Sequence, residues 1–408
     1  MLLEIANQAK RYAWGSLEDI PRFQGRLPGE YPEAELWLGA HPVSPSRIVG
    51  SENVNEPLSL DGFIARRPEF ALGADRSSDD LPFLVKLLSA RKPLSIQVHP
   101  DATQAREGFA AESLLGIPVD SSHRTYRDPR AKPEMVLPLS GRVDALLGFR
   151  HPVWTVRLLD YLLEESGNSP TTRKALNFLR SRLAGLKMSA LRSVVVDLTD
   201  PELPMYVYDG LVSALSNVVP GGSWAKQVRS LAWVAQLFPG DAGLLVALLM
   251  NHVTLHAGQA AFVGPGLAHA YLHGFALEVM GASDNVVRCG LTEKMVGREE
   301  FLRVTDFQAS ASIVRQATEC ARGVSSFCHP EFQFTISILT SRGGCASSVE
   351  LNGPAIAVGL EGSPLLRGRL SERPLTRGRA LFVTPDESAI HSSGCGTLAL
   401  VAASSIGD

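Results

Sequence analysis

Apolar and polar positions follow two different periods along this chain. Up to about residue 150 the apolar residues come in short runs broken by Gly and Pro: AELWLGAHP, LPFLVKLL, PLSIQVHPD, PEMVLPLS and ALLGF. Short apolar or alternating runs between turn signals predict strands. Near His151 the period lengthens. Trp154, Leu158, Tyr161 and Leu162 repeat at helical spacing, as do Ala175, Phe178, Leu179 and Leu183, then Trp224, Val228, Leu231 and Ala235. These stripes are expected to face a core. Ser169-Pro170 predicts a helix start, an N-cap followed by Pro at the first helical position. Asp241 is expected to cap a last helix running through Met250. After Asn251 the strand texture returns in HVTLHAGQAAFVGPGLAHAYLHG, and EFQFTISIL, PAIAVGL and ALFVTP continue it to the end. The pattern predicts a mainly β chain of two small barrels or jelly rolls, with helices inserted into the first. The expected boundaries are 1–150 with 251–320 for the first barrel, 151–250 for an all-α insertion, and 321–408 for the second barrel. A loose echo links Gly258–His269, with Pro265-Gly266 before the His, to Gly378–Pro385, which His391 follows.

Composition narrows the function. With 408 residues, 45% hydrophobic and 20% charged, the chain has enough apolar material for two to three packed units. Lys and Arg number 39 against 42 Asp and Glu, a net charge of −3, so no basic footprint points to nucleic acid. No apolar run approaches a membrane span, and Glu4 interrupts the short apolar start, which argues against a signal peptide. The five cysteines, Cys289, Cys320, Cys328, Cys345 and Cys395, are odd in number and form no C-x-x-C pair. A reduced cytoplasmic protein is expected, acting as a monomer on a small molecule.

Three segments carry candidate metal chemistry. On a strand through Leu94–His99, Ser95, Gln97 and His99 share one face and Leu94, Ile96 and Val98 the other. In KPEMVLPL, Lys132, Glu134 and Val136 alternate with Met135 and Leu137; a carboxylate inside an apolar strand is costly unless paired or bound to a metal. In FVGPGLAHAYLHG a Pro-Gly turn precedes His269, Tyr271 and His273 on one face. Gln97, His99, Glu134 and His269 together compose a first-row metal site; the plain alternative is a set of solvated strand faces. Lys86 stands alone in the apolar run LPFLVKLL, either reaching out at an edge or facing an anion. Arg288, in ASDNVVRCGLTEK, wants a carboxylate or phosphate partner; Asp284 and Glu278 are the structural candidates.

These segments resemble type I phosphomannose isomerases, zinc enzymes of the cupin superfamily. The matches are YAWGS (12–16), AELWLGAHP (34–42), LPFLVKLLSA (81–90), PLSIQVHPD (93–101), KPEMVLPL (132–139), ALLGFR (145–150), LAHAYLHG (267–274) and ASDNVVRCGLTEK (282–294), in the family's order around a helical segment. The resemblance covers roughly the first 310 residues well and the remainder only as a generic cupin barrel. It implies one zinc ion held by Gln97, His99, Glu134 and His269, a catalytic Arg288, and a sugar-phosphate pocket lined by Lys86, Ser95, Lys132, Tyr271, Asp284 and Lys294. Where the family usually has Asn-His before K-P-E, this chain has Arg130-Ala131, so no imidazole is available there for proton transfer.

The implied reaction interconverts mannose 6-phosphate and fructose 6-phosphate through a cis-enediol. It requires a polarised carbonyl and a positioned acid/base group, for which Lys132, Lys86 and Asp284 are the sequence's candidates. Two alternatives use the same residues. A cupin dioxygenase would bind iron at two His and one Glu, and a non-catalytic cupin would bind a sugar phosphate without turning it over.

Overall fold

The computed structural model describes residues 1–50, 58–74, 79–167, 169–308, 313–342 and 346–404. It combines large antiparallel sheets with a block of helices. In the nine-stranded sheet, Ile96–Val98 lies between Val287–Gly290 and His269–Gly281, and Glu134–Phe149, Gln259–Val263 and Val314–Gln316 follow in order. Phe83–Ala90 pairs with His269–Gly281 and carries Glu35–Leu38 on its other edge, while Met250–His256 pairs with Glu134–Phe149. The expected strand through Leu94–His99 is cut to Ile96–Val98, because Pro93 and Pro100 bracket it and neither can donate to a ladder.

An eight-stranded sheet holds the later strands, among them Phe334–Ser341, Gly396–Ala403, Ala355–Gly362 and Ala380–Val383. Its next strand is Leu2–Ala6, with Leu2 opposite Val383 and Ile5 opposite Ala380. The expected grouping of residues 1–150 is thus crossed at the very start, because Ile5 and Leu2 extend the apolar clusters on the two faces of the other sheet. The Thr318–Ala321 strand also joins this sheet, a few residues before the expected boundary.

Alternation decides how the sheets meet. Val85 and Leu87, Met135 and Leu137, and Leu277 and Val279 leave one face of the nine-stranded sheet and pack with Phe334, Ile336, Ile356, Val358, Phe382 and Val401 of the other. Each buried side chain of this kind contributes about 1.5–3 kcal/mol, so the seam is a main source of cohesion. It leaves Lys86, Glu134 and Glu278 on the opposite face, where all three are buried.

The helices Pro152–Glu165, Pro170–Leu183, Leu191–Leu198, Met205–Asn217, Ala225–Leu237 and Gly243–Leu248 come between the Glu134–Phe149 and Met250–His256 strands. Ser169 caps its helix by accepting from the Thr172 N–H at 3.4 Å, with Pro170 at the first position. Asp241 accepts from the Gly243 N–H at 2.7 Å, but the helix ends at Leu248 and Met250 already belongs to a strand. Leu158, Leu162, Ala175, Leu179, Leu183, Val228, Leu231 and Ala235 are buried as their stripes predict. Trp154 departs from its stripe: it sits on the rim, 49% exposed. The sequence pattern also misses the helix Ala102–Leu114, which buries only Ala105 and so shows no stripe; Asp101 and Gln104 close a capping box at its start. Among the described residues no helix is long and apolar enough to cross a membrane, and Cys289, Cys320, Cys328 and Cys395 are free. Cys345 lies outside the described residues.

Candidate metal centre

The strands Ile96–Val98, Glu134–Phe149 and His269–Gly281 bring four polar side chains to one point. Gln97 is the cross-strand partner of His269, and Leu147 pairs with His269 on its other side. His99 and His269 are fully buried, and Glu134 is 1% exposed. Nε2 of His99 lies 3.0 Å from Glu134 Oε1, and Nε2 of His269 lies 3.4 Å from Glu134 Oε2. The Gln97 amide nitrogen is 3.2 Å from His269 Nε2. Among the described residues, His99, Glu134 and His269 are the one group of this kind whose ligand atoms converge, all within 4.8 Å of one another.

The tautomers follow from the partners. His99 Nδ1 lies 2.7 Å from the Asn285 carbonyl and His269 Nδ1 lies 3.0 Å from the Leu267 carbonyl. A carbonyl only accepts, so each Nδ1 carries the proton and each Nε2 presents a lone pair inward. His99 Nε2 has no hydrogen-bond partner although it is buried. An orphaned buried acceptor beside a carboxylate fits a cation site, and backbone carbonyls orienting both rings are the usual second layer of such a site. Burial, then the charge of Lys132, pushes the His99 imidazolium down to about 4, so the ring is neutral and ligand-competent near neutral pH. Burial disfavours the Glu134 carboxylate, but Lys132, His99 and His269 outweigh it and hold Glu134 well below the usual range.

The rest of the row is ionic. Lys132 Nζ lies 2.9 Å from Glu134 Oε1, and the Tyr271 hydroxyl donates to Glu134 Oε2 at 3.3 Å. Lys86 faces an anion after all, but one supplied by the protein: Nζ is 3.5 Å from Glu278 Oε2 and 4.8 Å from the centre of the Trp37 ring. Burial opposes its charge, yet Glu35, Glu278, Glu134 and Asp284 together raise its pKa above the ordinary value. Burial, then Glu134, pushes the Glu278 carboxyl up to about 7. Asp284 pairs with His41 at 3.3 Å and, among the described residues, forms no ion pair with Arg288. With Glu278 taken by Lys86 and Asp284 by His41, both partners expected for Arg288 are engaged elsewhere.

Arg288 stands opposite Gln97 in register and therefore on its face of the sheet. Among the described residues it makes no ion pair or side-chain hydrogen bond. Burial, then neighbouring Arg127, lowers its pKa; burial, then Arg288, lowers that of Lys294, whose ammonium lies 5.4 Å from the Tyr12 ring centre. Three cations thus gather beside the buried row without carboxylates of their own. Ser95 is half-buried two residues before Gln97 and makes no side-chain hydrogen bond among the described residues. His273, expected on the face of His269, turns away toward Arg91 and Trp233.

The sequence reading named Glu278 only as a possible partner of Arg288 and missed His41, Arg127 and Asn285. Strict alternation from His269 puts Glu278 on the wrong face. Around Gly274, at φ +132°, the register with Glu134–Phe149 slips, and the parity of the strand changes. A Cβ at Gly274 would lie 2.6 Å from the Arg142 carbonyl oxygen, so only Gly fits. Asn285 fixes the loop behind His99, donating to the Asp128 and Arg130 carbonyls at 2.7 and 2.9 Å.

A profile described as the phosphomannose isomerase type I catalytic domain matches residues 2–151. Mannose-6-phosphate isomerase of Salmonella typhimurium is 33% identical over 405 residues, covering 98% of each chain. The chain belongs to the type I phosphomannose isomerase family. Membership reaches across kingdoms: the mannose-6-phosphate isomerase of Homo sapiens is 28% identical over 406 residues, covering 93% of this chain and 92% of its own. A solved mannose 6-phosphate isomerase bound with zinc and yttrium superposes with a TM-score of 0.86 at 32% identity, over 99% of this chain and all of that one. A zinc-bound mannose 6-phosphate isomerase gives a TM-score of 0.85 at 31% identity with the same coverage. The relatives are named as isomerases, which supports that activity over the dioxygenase and the non-catalytic cupin considered from the sequence.

Proposed function

We propose that this chain is a zinc-dependent isomerase interconverting mannose 6-phosphate and fructose 6-phosphate. The observation that carries the reading is the pair of buried imidazoles whose Nδ1 protons are fixed by carbonyls and whose Nε2 lone pairs meet the two oxygens of Glu134. Gln97, His99, Glu134 and His269 would hold the ion. Zinc, when bound, supplies a redox-silent Lewis acid for the sugar's carbonyl and hydroxyl oxygens.

The remaining work falls to the chain itself. Arg288, free of any carboxylate and facing the same side as Gln97, binds the negative charge that grows on O1 and O2 as the enediolate forms. Lys294 and Arg127, also on this cationic side, receive the phosphate. We assign proton transfer to Glu278: it takes the proton from C2 of the open aldose and returns it to C1, O1 gains a proton and O2 loses one. A carboxyl at about 7 is matched to that task near neutral pH, and Lys86 at 3.5 Å keeps it in place. Lys132 holds Glu134, Tyr271 closes the row beneath it, Asp284 keeps His41 and the loop in position, and Ser95 lines the pocket mouth.

In this reading the nine-stranded sheet is a catalytic cupin-type jelly roll formed by residues up to 150 and 251–320. Residues 151–250 are an inserted helical domain, and 321–408, completed by Leu2–Ala6, are a second barrel. The free cysteines suit a monomer of the reducing cytoplasm. The test is a coupled isomerase assay on metal-stripped protein resupplied separately with zinc, iron and cobalt. Activity restored by zinc without oxygen consumption is expected. Turnover that needs iron and consumes oxygen, or none in fully metallated protein, overturns the reading.

A further inference from the structure

Away from the metal centre, a cleft of about 540 Å³ opens where the helices meet the far end of the Glu134–Phe149 strand. Its floor and walls include Arg150, Gln227, Asn251 and His252, and Trp154 and Trp224 stand at its sides. Nothing in the isomerase reading uses these residues.

Three polar atoms here lack partners. Gln227 Oε1 and both ring nitrogens of His252 are buried without a partner in hydrogen-bonding geometry, although the Ala247 backbone lies near enough to His252 to favour its charged form. Such orphans are rare in folded chains, and each marks a place where a water or a ligand group belongs. The charge is also unmatched. Arg150 is 6% exposed. Its Nε donates to Thr155 Oγ1 at 2.9 Å and its Nη2 to the Leu248 carbonyl at 2.5 Å, both neutral acceptors. Among the described residues no carboxylate pairs with it, and burial alone lowers its pKa, to about 10. The acid whose charge acts on His252, Asp144, is already engaged by Lys226 at 3.1 Å and by Arg142 at 3.2 Å. A buried guanidinium without a counter-charge calls for an anion. An orphaned amide oxygen calls for a donor, and anions alone have none. Two indoles beside them suit the C–H face of a sugar or polyol ring or chain.

We propose that this cleft is a binding site for a small polyhydroxylated anion. Its phosphate or carboxylate pairs with Arg150, and its hydroxyl groups donate to Gln227 and exchange hydrogen bonds with His252. The site is connected to the metal centre by the strand itself. Leu147 lines the cleft and is the cross-strand partner of His269, and Asn251 holds the Leu147 and Phe149 carbonyls at 3.1 Å each.

The test uses full-length, zinc-loaded protein titrated calorimetrically with sorbitol 6-phosphate and, separately, with gluconate, which distinguish a phosphate from a carboxylate as the recognised group. Gln227→Leu and His252→Phe leave Arg150 and the fold-bearing contacts in place. At least one probe is expected to show a binding event that weakens roughly five- to tenfold or more in both variants, while turnover of mannose 6-phosphate stays within about twofold of wild type. Isotherms identical to wild type in both variants, for both probes, overturn the proposal and leave ordered water as the occupant. Binding at the metal centre would persist unchanged in both variants, so it cannot be mistaken for the cleft.

Discussion

The nine-stranded sheet and the eight-stranded sheet share one apolar seam but differ in what their strands carry on the face turned away from it. On the first, the alternate positions are Lys86, Glu134, Tyr271 and Glu278, buried and joined in an ionic row around two imidazoles. On the second they are Leu339, Ala355, Ala357, Leu381, Val383, Leu398 and Leu400, packed dry against Leu366 and Ile390 of a small four-stranded sheet. The echo of the first site's Pro-Gly-His turn in the second unit ends with His391 exposed on a strand surface. Its buried acid, Glu387, is spent on the Leu370 N–H at 2.7 Å and the Ser371 hydroxyl. The same pleated scaffold therefore supports either a site or a core. The choice lies in whether buried polar residues on neighbouring strands satisfy one another.

Substitutions can break this contrast. The largest effect is expected from His99→Ala or Glu134→Ala, which should abolish both bound zinc and isomerase activity, whereas His391→Ala should leave both intact. Full zinc content in the first two, measured by elemental analysis, would remove the assigned ligand set. Glu278→Gln should keep zinc and lower turnover by about 10²–10⁴; a kcat near wild type rules out Glu278 as the proton carrier. Arg288→Ala should cost about 10²–10³ in kcat with little change in KM, and Arg288→Lys should recover only part of it because an ammonium lacks the planar fork. A raised KM with kcat preserved would instead make Arg288 a phosphate ligand only. Lys86→Met is expected to disturb substrate binding and the Glu278 titration together, shifting the pH–rate profile. An unchanged profile, kcat and KM would show the Lys86–Glu278 pair to be structural.

The smallest expected effect is on stability. Burial, then Arg150, pushes His252 down to about 3 from an ordinary value near 6.5. A depressed folded value means that the native ring is neutral. Its contribution is complete above about pH 6.5 and is lost as pH falls toward 3. Denaturant titrations at pH 7 and pH 5 should show wild type losing up to about 2 kcal/mol more than His252→Phe over that interval. Equal losses would mean that His252 already finds a partner that charges with it.

Much of this was legible before any coordinates. The convergence of Gln97, His99, Glu134 and His269 could be anticipated because each sits in a strand of two-residue period within segments that resemble a zinc-enzyme family, and the helical block because its leucines obey 3.6. What escaped were features with no local period. Glu278 sits past a break in alternation that Gly274 creates, so counting from His269 misplaces it. The solitude of Arg288 depends on Lys86 and His41 having claimed Glu278 and Asp284 first, a competition among residues far apart in sequence. Trp154 lies in register with its stripe yet is half exposed, standing at the side of a cleft with the Arg157 guanidinium over its ring.

The pairing of Leu2–Ala6 with Ala380–Val383 has a consequence for how the molecule is made. Leu2–Ala6 cannot form its longer ladder until Ala380–Val383 has been translated. At translation rates of about 5–20 residues per second, that is a wait of roughly 20–80 seconds, during which an apolar strand is held only by its two-residue pairing with Arg47–Ile48. The metal-bearing sheet, whose last strand ends at Gln316, can assemble well before then. Closure of the eight-stranded sheet over Leu2–Ala6 is therefore a late event, even though the strand itself is made early.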